Sequence, residues 1–181
     1  MFGLWMFGTP LEQMWGKKKF IFYYLSAGFG AVLIQTIVYH YDVNLVTKLL
    51  SENGLSNADI NSFFDTGRLN TSIIQLVGEE RLYSGFQSYK AVMVGASGAL
   101  YGILVGFAML FPNVQLMLLF PPIPIKAKVL VPLLILFDLF FGFTSYSVGP
   151  IAHFAHIGGA VTGFIMMWYW KKNQFNDRRW N

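Results

Sequence analysis

Four apolar stretches of near-spanning length constrain this chain more than any other feature. They run from Phe20 to about Tyr39, from Ala91 to about Phe111, from about Val129 to Phe143, and from Ile151 to Trp170. A helix crosses the hydrocarbon core of a bilayer with about 20 mostly apolar residues. The third stretch is short and is expected to borrow residues from its flanks. A fifth, Met1 to Gly8, is too short to span alone, and it lacks the basic start and small-residue cleavage site of a signal peptide. Composition supports the membrane reading. Charged residues are 12% of the 181, against about 25% in a soluble domain, so polar groups are too few to cover a water-facing surface. The same figures exclude a disordered chain. There is no Cys, which excludes a disulfide framework, a thiolate metal site and a Cys nucleophile.

Charge placement orients the stretches. Lys17, Lys18 and Lys19 precede the first, Lys126 and Lys128 lie between the second and third, and Lys171, Lys172, Arg178 and Arg179 follow the fourth. With four alternating spans all of these fall on one side. The other side holds Lys48, Arg68, Arg81 and Lys90 together with Asp42, Glu52, Asp59, Asp65, Glu79 and Glu80. Basic residues mark the cytoplasmic face, so the C-terminus is expected in the cytoplasm, with a bacterial inner membrane as the expected setting. The formal net charge of +4 is thereby a topology signal. No basic face with interleaved aromatics points to nucleic acid. The expected architecture is an all-α polytopic membrane helical bundle over residues 1–170, with a basic cytoplasmic tail at 171–181.

The connections differ in character. Residues 41–90 read as a long polar outer loop. It carries possible short helices at Asn44–Leu50 and Asn57–Phe64, the latter capped by Ser56 or Asn57. Residues 112–126 are apolar but broken by Pro112, Pro121, Pro122 and Pro124, which rules out a spanning helix and predicts an extended segment at the interface. Residues 144–150 form a short uncharged outer loop. His40, Tyr39, Trp168 and Trp170 read as interfacial residues near span ends.

Polar groups inside a membrane are costly, so each is a functional candidate. The spans offer Ser97, Asp138, His153 and His156, with Tyr101 nearby. Ser97 lies between Gly95 and Gly98, and taken singly this cluster reads first as a close-packing face. His156 lies one turn before Gly159 and Gly163, and taken singly it reads equally as a structural hydrogen-bonding group. Together they carry more. Both spans run from outside to inside, with Ser97 about six residues in and His156 about five, so both are expected roughly 8–10 Å below the outer end at 1.5 Å per residue. A serine hydroxyl is a weak nucleophile and needs such a base. Asp138 is counted about ten residues in from Lys128, near mid-membrane and deeper than His156. The expectation for it is a structural hydrogen bond rather than the third member of a triad. His153 is expected to be a partly solvated residue near the mouth.

The motifs GASGALYG at 95–102 and AHIGG at 155–159, on spans in this order, resemble the rhomboid family of intramembrane serine proteases. Phe7-Gly8-Thr9-Pro10-Leu11-Glu12, with Gly16, resembles the end of that family's second helix and the following turn. The resemblance covers nearly the whole chain. It implies a rhomboid-like bundle of four full transmembrane helices plus the remnant of a preceding one. It implies Ser97 as nucleophile and His156 as general base, in a dyad without an acid. Tyr101 would stack on the His156 ring, and the Ser97 backbone N–H would help form an oxyanion hole, with Gly95, Gly98 and His153 supporting. Glu12 would be a structural acid near the helix turn, and Gly159 and Gly163 would bring the serine and histidine helices together. No metal or cofactor is implied. The implied partners are transmembrane protein substrates and the lipid bilayer.

The family's His-x-x-x-Asn motif, which supplies side-chain oxyanion donors from the second helix, is absent, and so is the first helix. The expectation is therefore an N-terminally truncated sequence that is poorly active as written, since one lost oxyanion donor can cost roughly 10²–10³ in rate. The competing functional reading is a non-catalytic rhomboid-like protein that binds transmembrane helices.

Overall fold

A computed structural model describes residues 2–92, 96–117, 123–143 and 152–174. Helix α1 spans Phe2–Trp15, α2 Lys17–Glu52, α3 Asn57–Thr66, α4 Thr71–Val77, α5 Glu79–Lys90, α6 Ser97–Leu110, α7 Ala127–Phe143 and α8 His153–Gln174. Two short strands, β1 Gln115–Met117 and β2 Pro124–Lys126, pair antiparallel. The described part of the proline-broken segment thus contains two extended stretches and no helix, while residues 118–122 lie outside the described residues. The chain divides into two compact units, residues 1–35 with 95–181, and residues 36–94.

The first unit is a helical bundle centred on α6, with the short β1–β2 ribbon among its connections. Nearly every residue of α6 from Gly98 to Ala108 is buried or half-buried, as expected of a helix apolar on all sides. Helix α1 packs on it through Phe7, whose ring meets Phe107 edge-on at 5.2 Å. Gly16, at φ 75, then turns the chain, and its N–H closes α1 on the Glu12 carbonyl at 2.8 Å; a left-handed residue after a helix favours glycine. Helix α2 presents one stripe to the core. Tyr23, Ala27, Ala31 and Gln35 recur every four residues, and all four are buried.

Exposure is inverted relative to a soluble fold. Ile21, Phe22, Leu25, Phe29, Val32 and Leu33 of α2 face outward, as do Val129, Leu136, Phe137 and Phe140 of α7 and Phe164 and Ile165 of α8. Gln35 and Asp138 are buried instead. Such a contiguous apolar exterior around a polar interior suits a lipid surround. Among the described residues, α2 is the one helix both long and apolar enough, by length and composition, to cross a membrane.

Several expected boundaries move. The helix expected to end near Tyr39 continues to Glu52, so Asn44–Leu50 belongs to it rather than to a separate loop helix. The second stretch does not become a helix from Ala91: α6 begins at Ser97, so Ser97 lies in the first turn and not six residues into a span. The 14 residues of α6 reach about 21 Å. Trp170, read from sequence as interfacial, is half-buried. It packs against Trp15 at 5.4 Å and Tyr23 at 5.6 Å, with the Lys19 ammonium 4.3 Å from its ring centre. Residues 144–151 and 175–181, which include the expected outer turn and most of the basic tail, lie outside the described residues.

The second unit has its own core of Val46, Leu50, Ile60, Phe63, Phe64, Val77 and Leu82. Helix α3 starts on a capping box. The Ser56 hydroxyl accepts the Asp59 N–H, and the Asp59 carboxylate accepts the Ser56 N–H, the reciprocal pairing that satisfies two orphaned donors.

Candidate active site

The site forms where the first turns of α6 and α8 meet the C-terminal half of α7. Glycines make the meeting possible. A Cβ on Gly159 of α8 would collide with the Gly98 carbonyl of α6, and a Cβ on Gly163 would lie 2.7 Å from the Gly102 Cα. These helices therefore touch backbone to backbone, which only small residues allow. Tyr23 bridges the seam from α2. Its hydroxyl lies 2.8 Å from the Gly102 carbonyl oxygen and 3.0 Å from that of Gly163. Gln35, at the far end of the same stripe, accepts the Ala155 N–H at 2.9 Å, sharing it with the Ala152 carbonyl at 3.0 Å. Neither Tyr23 nor Gln35 was singled out from sequence. The four-residue spacing from Tyr23 to Gln35 was the available signal.

This packing sets Ser97 against His156. The Ser97 Oγ lies 3.0 Å from the His156 Nε2. Ser97 opens α6 and is exposed, and its backbone N–H is among those with no acceptor inside the helix. The Tyr101 ring, one turn later, stacks on the His156 ring at 4.3 Å with an interplanar angle of 6°. A hydroxyl in hydrogen-bonding contact with an imidazole held flat against a ring can transfer its proton without reorganising the site.

Asp138 departs from expectation. It is not deeper than His156: its Oδ1 lies 3.0 Å from His156 Nδ1 and 2.7 Å from His153 Nδ1. Asp138 lies in the C-terminal half of α7, Ala127–Phe143, and meets the first turn of α8. The Tyr101 hydroxyl is a further hydrogen-bonding neighbour of the same carboxylate. The His153 side chain is 11% exposed, and its Nε2 is buried without a partner among the described residues.

Of the remaining candidates, Glu12 lies half-buried in the last turn of α1, and Gly95 lies outside the described residues. Asp138, His153 and His156 also form the group that could hold a metal ion among the described residues, their ligand atoms lying within 4.8 Å of one another. The Nδ1 atoms of both histidines and the Asp138 Oδ1 make the hydrogen bonds just given, so an ion held by those atoms would displace the bonds from the histidines to Asp138.

Comparison with known proteins agrees with this architecture. The family model for the Rhomboid domain matches residues 1–58 and 65–173. Rhomboid protein 1, mitochondrial, of Saccharomyces cerevisiae is 24% identical over 172 residues, covering 95% of this chain and 37% of the relative. The chain thus spans little more than a third of that relative's length. No solved structure matches the chain. A domain model matching on both sides of one short gap, over nearly the whole sequence, places the protein in the rhomboid family, whose members are integral to membranes.

Proposed function

We propose that the protein is an intramembrane serine endopeptidase acting on transmembrane segments of membrane proteins. The observation that carries this reading is the 3.0 Å contact between Ser97 Oγ and His156 Nε2. In the proposed reaction, Ser97 Oγ attacks the scissile carbonyl carbon while His156 Nε2 takes the hydroxyl proton. The Ser97 N–H, at the positive end of α6, stabilises the oxyanion that develops. Collapse of the tetrahedral intermediate breaks the C–N bond, and His156 returns the proton to the departing amine. Water then attacks the acyl ester with His156 again as base, releasing the acid and restoring Ser97. A folded transmembrane helix hides its carbonyls in intrahelical bonds, so the substrate segment is one that unwinds readily, rich in small or helix-breaking residues. The chemistry needs no cofactor.

The lysines at the start of α2 and the end of α8 support a proposed orientation with the C-terminus in the cytoplasm and the Ser97 end of α6 near the opposite face. The test is cleavage of a fluorescent transmembrane reporter by the full-length protein in proteoliposomes. Wild type is expected to cleave, with Ser97→Ala and His156→Ala inactive. Cleavage undiminished in Ser97→Ala refutes the mechanism. A well-folded wild type without cleavage favours a non-catalytic, helix-binding rhomboid.

A further inference from the structure

We infer that Asp138 is a positioning residue that fixes His156 as the base, so that the site works as an acid-supported assembly rather than a free-standing serine–histidine pair. The inference rests on the reading of Ser97 and His156 proposed above and deepens it.

Burial comes first. The Asp138 side chain is 8% exposed. A carboxylate that far from water is tolerated only with hydrogen-bond donors around it. Three groups supply them: His153 Nδ1, His156 Nδ1 and the Tyr101 hydroxyl. The first two reach the same oxygen, Oδ1. An ionised carboxylate accepts and cannot donate, so both imidazoles must present N–H at Nδ1. For neutral His156 this places the lone pair on Nε2, the atom 3.0 Å from Ser97 Oγ. That is the tautomer a base needs; the other would aim an N–H at the serine oxygen and leave no acceptor for its proton.

His153 supports the same assignment independently. Its Nε2 is buried without a partner among the described residues. With the proton on Nδ1, the atom left over is an unused acceptor. With the proton on Nε2, it would be an orphaned donor, and Nδ1 would face the carboxylate lone pair to lone pair at 2.7 Å. The first arrangement costs less.

Asp138 also holds the ring's orientation. Tyr101 fixes the plane of the imidazole by stacking at 4.3 Å, but a stack leaves the ring free to turn within that plane. The bond from Nδ1 to Asp138 removes this freedom. When His156 gains a proton from Ser97, the carboxylate at 3.0 Å stabilises the resulting imidazolium.

The experiment compares wild type, Asp138→Asn and Ser97→Ala of the full-length protein in proteoliposomes, reading kcat and KM for a transmembrane reporter, the rate of labelling by a fluorophosphonate probe, and Tm. Asn keeps the size of Asp, yet its amide can donate to His156 Nδ1 and stabilise the wrong tautomer. The expected result is a kcat and a labelling rate reduced about 100-fold or more, with KM within about threefold and Tm nearly unchanged. A kcat within about twofold of wild type overturns the inference and leaves Ser97 and His156 standing. Wild type that neither cleaves nor labels at Ser97 overturns the proposed function, and this inference with it. Nitrogen-15 NMR of histidine-labelled wild type needs no variant. His156 protonated at Nδ1 is expected at neutral pH, and a proton on Nε2 with bare Nδ1 refutes the role of Asp138.

Discussion

Replacing Gly159 by alanine tests how tightly the fold sets the site. The added Cβ would collide with the Gly98 carbonyl oxygen and lie 2.7 Å from its carbon. Both obstacles are backbone, so no side-chain rotation relieves them. Helices α6 and α8 have to part by about 1 Å to restore ordinary contact, and overpacking of this kind costs about 1–3 kcal/mol. The same movement separates the helices that carry Ser97 and His156. Their 3.0 Å contact would stretch to about 4 Å, beyond hydrogen-bond reach. A misplacement of about 1 Å at reacting groups costs about 100-fold in rate. The assay is reporter cleavage and thermal unfolding in the same detergent, with Gly28→Ala as control. A Cβ at Gly28 meets only the Ala99 methyl at 3.4 Å, an ordinary contact, so the control is expected to behave as wild type. Gly159→Ala with wild-type rate and Tm would refute the claim that this backbone contact sets the geometry.

Three further outcomes follow from particular contacts. Tyr23→Phe removes the hydroxyl that bridges the Gly102 and Gly163 carbonyls and is expected to cost about 1 kcal/mol in unfolding free energy, read by denaturant titration. Tyr101→Ala abolishes the stack on His156 and is expected to lower kcat about tenfold, while Tyr101→Phe keeps the ring and most of the rate; equal rates in the two would contradict the stacking role. Ser56→Ala breaks the capping box of α3 and is expected to cost about 1 kcal/mol locally, seen as faster amide exchange over Asn57–Phe64 with cleavage unchanged.

Much of the bundle was legible because apolar runs mark helices wherever the surround is lipid. The expected Val129–Phe143 and Ile151–Trp170 stretches became α7 and α8 with small shifts of their ends. Ser97 and His156 stood out as a pair and through the motifs GASGALYG and AHIGG, and the place of Tyr101 came from that resemblance alone. The run of α2 past Tyr39 was not. Polarity rises at His40 and Asp42, but Val46 and Leu50 carry the helix onward by packing against Ile60 and Phe63, a long-range contact that no local pattern shows. The start of α6 was also hidden, since Ala91–Val94 suit a helix and an extended strand equally well by composition. Asp138 was misjudged because its partners, His153 and His156, come from another helix, and a count along its own stretch does not show them.

The central claim is that Ser97 is a nucleophile activated by His156, and covalent labelling tests it most directly. The full-length protein in detergent is treated with a fluorophosphonate, and the modified peptide is mapped by mass spectrometry. The predicted result is a single adduct on Ser97, lost in Ser97→Ala and slowed at least 100-fold in His156→Ala, in line with removal of a general base. No adduct on a protein with a cooperative unfolding transition, or an adduct on Ser97 that forms equally fast without His156, would contradict the account.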